Sequence, residues 1–104
     1  MKARKIDLTN YKVGDDNVNV RECLVALLFN NDLQKQGKLD AVALRAHNRV
    51  ADELESANGE ALLDQKAYEV LRESINAFRG FQRGHVELVN RVLDAPEIDV
   101  KESG

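Results

Sequence analysis

The chain has 104 residues, enough for one domain with its own core and too few for a second. Its hydrophobic content of 43% excludes a disordered protein. Its 15 basic and 18 acidic side chains lack the basic excess of a general nucleic-acid binder, and the one cysteine excludes an intramolecular disulfide.

Residues 1–17 read as an extended arm. Ile6 and Leu8 alternate like a strand, then the pattern slips by one to Tyr11 and Val13. The start of the arm is basic, but no apolar stretch of secretory-signal length follows. Gly14-Asp15-Asp16-Asn17 forms a turn.

A helical core of four helices is expected over 18–95. Asn19 and Glu22 have capping-box spacing, which starts the first helix. That helix carries Cys23-Leu24-Val25-Ala26-Leu27-Leu28-Phe29, apolar on every face, and so predicts a buried central helix. The run is far shorter than the ~20 residues of a membrane span. Residues 30–38 form a polar loop anchored by Leu33.

Asp40 opens the second helix, with Ala43, Ala46, Val50, Leu54 and Ala57 along one face. Arg49 and Glu53 are an i,i+4 pair in the less favourable order. Asn58-Gly59 ends this helix, and Glu60–Leu63 is a connector whose two leucines plug the core. Asp64 caps the third helix, which carries the stripe Tyr68, Leu71, Ile75 and Phe78 and stops at Arg79-Gly80. The fourth helix runs from about His85 to Asp94, with Val86, Val89 and Leu93 on one face. Pro96 closes it. In the tail 96–104, Glu97–Val100 alternates like a strand and is a candidate partner for residues 4–8. The fold class is therefore all-α, four helices around a central one, with the termini able to form a two-stranded ribbon.

No residues make a strong case for catalysis. His47, His85 and Cys23 are the potential metal ligands, without the paired spacing of a metal motif. His47 reads as a solvated flank residue and Cys23 as a small buried hydrophobe. Ser56, Ser74, Ser103 and Thr9 lack a nucleophile context. The carboxylates Asp52, Glu53, Glu55, Glu60 and Asp64 read as solvated charge. No catalytic residue, metal or cofactor is expected.

The segment 78–85 is different. It interleaves two phenylalanines, two arginines, two glycines and a histidine between helices. Such a mixture suits a protein-binding hot spot or a single-stranded nucleic-acid surface, whereas its bland reading is a packed turn. Arg79, Phe81, Arg83, His85 and Arg91 are the candidate partner-binding residues.

Taken together, the Ile6/Leu8/Tyr11 arm, Cys23–Phe29, Leu62-Leu63, Tyr68 and Leu71, Phe78-x-Gly80-Phe81-x-Arg83 and Val86–Glu97 resemble small uncharacterised proteins of tailed phages and prophages, encoded near virion-structure genes. The resemblance covers most of the chain through packing and turn residues. It implies a non-enzymatic accessory or assembly role with a protein partner or self-association. The alternative is a small nucleic-acid-binding regulator using residues 79–91, disfavoured by the net charge. The expected location is the cytoplasm of a bacterium or infected host, with association to a virion as an extension.

Overall fold

A computed structural model describes residues 2–100; Met1 and residues 101–104 of the expected tail lie outside the described residues. Its helices sit against a sheet, so the architecture is mixed α/β and the all-α expectation is overturned. The strand β1 (Lys2–Asp7) is the centre of a three-stranded antiparallel sheet. A short hairpin follows, β2 (Tyr11–Val13) and β3 (Asp16–Val18). Next come α1 (Val20–Leu27), α2 (Asn31–Lys35), α3 (Ala41–Ser56), β4 (Glu60–Asp64), α4 (Gln65–Ala77), a 3-10 turn (Arg83–His85), α5 (Val86–Leu93) and β5 (Glu97–Asp99).

The sheet is what the sequence pattern concealed. β4 pairs with β1 from Asp64 opposite Ala3 to Glu60 opposite Asp7. This is the stretch expected to be a connector. Only one of its two leucines enters the core: Leu63 is buried, while Leu62 lies on the other sheet face and is half exposed, as strand alternation requires. The termini do pair, but as part of this larger sheet. β5 meets Lys2–Arg4, two residues earlier on β1 than the start expected. The slipped period at Tyr11 and Val13 marks a second strand, turned back by Gly14-Asp15 with Gly14 at φ 62°.

The helix starts follow local chemistry. The side chains of Asn19, Asp40 and Asp64 each accept a backbone N–H three residues on, from Glu22 at 3.1 Å, Ala43 at 2.8 Å and Ala67 at 2.8 Å. Asn30 does the same for Leu33 at 3.0 Å, making a one-turn helix of the expected polar loop.

The core joins Ile6 and Leu63 of the sheet to Leu24 and Leu28 near α1, Val50 and Leu54 of α3, Tyr68, Leu71 and Ile75 of α4, and Leu88 and Val92 of α5. Helix α1 is not enclosed all round: Ala26 faces solvent and Val25 and Cys23 are half-buried. On α5 the inward stripe is Leu88 and Val92. Val86 and Leu93, expected on the shared face, are 55% and 40% exposed. Tyr68 selects this rotation, since its hydroxyl donates to the Val92 carbonyl at 2.7 Å.

His47 also departs from expectation. It is 4% exposed and lies on the inward face of α3 with Val50, Ala51 and Leu54. Its Nδ1 donates to the carbonyl of Leu28 at 2.7 Å, one of the carbonyls that the end of α1 leaves without a helical partner. Ser74 stands 3.3 Å from the same nitrogen and gives its own hydroxyl proton to the Val70 carbonyl at 2.9 Å. Asn30 completes the buried polar group by donating to the carbonyls of Leu27 and Ser74. These bonds tie α1, α3 and α4 together at the price of one polar cluster in the core.

Candidate interaction site

The corner favoured by the sequence is largely used up by packing. Phe81 meets Phe78 edge to face at 4.8 Å and the His85 ring at 5.8 Å. His85 Nδ1 accepts the backbone N–H of Gln82 at 3.0 Å, closing the 3-10 turn. The hairpin covers the turn: the Tyr11 hydroxyl donates to the Gly84 carbonyl at 2.9 Å, and a Cβ on Gly84 would lie 3.1 Å from a Val13 methyl. A side chain at Gly84 would therefore need Val13 to give way by a few tenths of an ångström.

Arg91 belongs to the same framework. Its guanidinium donates to the carbonyls of Asp7 and Thr9, pairs with Glu87 at 2.9 Å and lies 5.1 Å from the Tyr11 ring centre. It fastens α5 to the exit of β1 and is mostly buried. The structure thus brings Phe81 and His85 together, places Arg91 on the hairpin side, and leaves the Arg79 and Arg83 residues exposed.

A different surface carries uncommitted chemistry. Helices α3 and α4 diverge around a groove of about 300 Å³. Val50, Ala67 and Val70 contribute its apolar lining, and Val42, 79% exposed, stands at its side. Arg45 and Arg49, one turn apart on α3, face the groove with Lys66 from the first turn of α4. None of these three cations takes part in any ion pair found among the described residues. The expected Arg49–Glu53 pair does not close. Glu53 and Asp64 complete the lining, giving three cations and two acids in a chain of net charge −3.

The electrostatics follow from the walls. Burial, then the neighbouring Asp64 carboxylate, push the Glu53 carboxyl above its ordinary range, against the Arg49 charge. On the opposite side of the molecule's sequence, Asp7 is held below its ordinary range by the bonds it accepts from Thr9, with Arg91 and Lys5 adding to them. Burial raises the half-buried Cys23 thiol, which makes a poor nucleophile of it.

The ionisable groups of the groove are Glu53, Asp64, Arg45, Arg49 and Lys66. No cluster of three or more His, Cys, Asp or Glu that could hold a metal ion occurs among the described residues. The His47–Ser74 contact has the residue types of a nucleophile and base, but both side chains are buried and neither lines the groove. Arg45, Arg49 and Lys66 escaped sequence reasoning because they come from two helices separated by a strand. The only signal was the i,i+4 spacing of two like charges, Arg45 and Arg49.

No family model, no curated protein and no solved structure matches the chain. No helix among the described residues is long and apolar enough to cross a membrane.

Proposed function

We propose that the protein is a non-enzymatic interaction or assembly component, of the accessory kind its sequence resembles in tailed phages, and that it works in the cytoplasm or on a virion. Its docking surface is the α3–α4 groove. The observation that supports this reading is the set of three unpaired cations around an apolar floor, in a chain that is otherwise net acidic. Such a groove takes an amphipathic segment that sets apolar side chains against Val50, Ala67 and Val70 and carboxylates against Arg45, Arg49 and Lys66. The apolar contact supplies most of the affinity, and the charges fix orientation and register.

The nucleic-acid reading is left with Arg79 and Arg83, since Arg91 is spent on the Asp7 and Thr9 carbonyls at the end of β1.

An amide-resolved NMR titration with a short helix-forming peptide bearing paired glutamates beside a valine–leucine stripe tests the proposal. Shifts should concentrate on Arg45, Arg49, Lys66 and Val70, and a glutamine version of the peptide should bind about tenfold more weakly. Absence of shifts, or shifts confined to 79–91, overturns the groove assignment. Salt-sensitive binding of an oligonucleotide at Arg79 and Arg83 promotes the alternative.

A further inference from the structure

We infer that the occupant of the groove is the outer face of α5 from a second copy of this chain. The inference rests on the groove reading above and names the partner for it. Helix α5 turns Leu88 and Val92 inward and leaves Val86 and Leu93 exposed, seven residues apart on one stripe. Two turns of helix separate residues at that spacing by about 10 Å, so the pair presents two apolar knobs on one side. Glu87 and Asp94, each one position further on, run parallel to that stripe, and both are exposed. Asp94 enters no ion pair among the described residues, while Glu87 shares one oxygen with Arg91. The stripe is thus apolar along one line and acidic along the next.

The groove is the complement of this pattern. Val42, Ala67 and Val70 receive the apolar line, with Val50 at 2% exposure beneath them, and Arg45, Arg49 and Lys66 outnumber Glu53 and Asp64 where the acidic line docks. Charge complementarity favours this occupant over Leu62 on β4, beside which both charges of the Glu60–Lys5 pair at 3.1 Å are taken, whereas the α5 stripe adds Asp94, which enters no ion pair among the described residues. Groove and stripe are different surfaces of one chain. Each copy therefore has one stripe to give and one groove to fill. A reciprocal exchange between two copies closes a two-fold dimer; a one-way exchange builds a ring if the rotation closes and a filament if it does not.

Two charge reversals separate the two halves of the contact. Arg49→Glu blocks the groove and leaves the stripe. Asp94→Arg blocks the stripe, and an arginine at the end of α5 suits the helix dipole, so folding is preserved. Both sites are exposed, and unchanged denaturation midpoints would establish that the variants fold. Mass measured by light scattering against concentration is the readout. The wild-type protein should self-associate, each variant alone should remain monomeric, and an equimolar mixture should associate again, because the Arg49→Glu chain keeps its stripe, the Asp94→Arg chain keeps its groove, and the two reversed charges suit each other. Raising salt should weaken the wild-type assembly.

A wild-type protein that stays monomeric up to ~1 mM overturns the inference, since millimolar affinity is the floor of a useful contact. So does an assembly that survives Asp94→Arg. The peptide titration then decides separately whether the groove is a docking surface for another protein: peptide binding by a monomer keeps that reading, and its absence removes both.

Discussion

Arg91 and Arg49 are both helix arginines four residues from a glutamate, and they end in different states. Glu87 precedes Arg91, the order that lets the two side chains meet along the helix, and the pair closes at 2.9 Å. Arg49 precedes Glu53, the reverse order, and no ion pair forms. Arg91 also finds the carbonyls where β1 leaves the sheet, whereas Arg49 finds a groove. The 79–91 corner, unusual in composition, is a joint between the hairpin and α5. The α3–α4 groove, ordinary in composition, holds charge that the fold does not use. Composition flags a segment with many special residues, but free interaction capacity depends on which of them the fold has already satisfied.

The largest effect that separates the two regions is expected at Arg91. Arg91→Ala leaves the Asp7 and Thr9 carbonyls and Glu87 without their donor, so chemical denaturation should show a loss of about 2 kcal/mol. Arg49→Ala should change stability by no more than ~0.5 kcal/mol. Equal losses at both positions would erase the distinction between joint and groove.

Gly84 comes next. Gly84→Ala pushes a methyl against Val13 and should cost about 1 kcal/mol, at the low end of overpacking because Val13 is partly exposed and can give. The same change in a Val13→Ala background should cost much less. A double-mutant cycle with no coupling would mean that the hairpin does not rest on the corner.

Much of the helical frame was legible because its signals are local. Asn19, Asp40 and Asp64 cap by bonds three residues long, which spacing alone reveals. The sheet was hidden because β4 needs a partner nearly sixty positions away: Asp7 opposite Glu60, Ala3 opposite Asp64. Adjacent leucines in Leu62-Leu63 resemble a core plug, and only the pairing with β1 sends them to opposite faces. His47 was misplaced by its polarity. Positions 43, 47, 50 and 54 have helical spacing as good as 43, 46, 50 and 54, and the free Leu28 carbonyl decides between them. On α5, the stripe Leu88, Val92 and Ala95 competes with Val86, Val89 and Leu93, and the Tyr68 hydroxyl settles the rotation. The candidate groove was illegible since its cations converge only once β4 has folded back between their helices.

Asp7 supplies a smaller difference, through pH. Its folded carboxyl is more acidic than its unfolded one, chiefly through the bond accepted from the Thr9 N–H at 2.9 Å. The associated stability is present above the unfolded value, near 3.9, and is lost as pH falls through the folded value. Asp7→Asn should flatten the acid limb of stability against pH. Arg91→Ala should shift the Asp7 titration upward, read by carboxyl NMR, since one of its cationic neighbours is gone. An unmoved titration would detach Asp7 from the joint.

The smallest effect has the opposite sign and belongs to the groove. Burial holds the Glu53 proton to higher pH in the folded chain than in the unfolded one, with Asp64 reinforcing the shift. The folded state therefore binds more protons between those two values, and stability gains as pH falls through the folded value. Above it, the ionised carboxylate works against folding. Glu53→Gln keeps the shape and removes that charge, so it should stabilise the protein slightly at pH 7 and make no difference by about pH 3, where both states hold the proton. It also leaves Arg45, Arg49 and Lys66 facing one acid fewer, so the glutamate peptide should bind more tightly. Equal stability of the two proteins at both pH values, together with unchanged peptide affinity, would mean that Glu53 is fully solvated and that the α3–α4 groove is too open to select for charge.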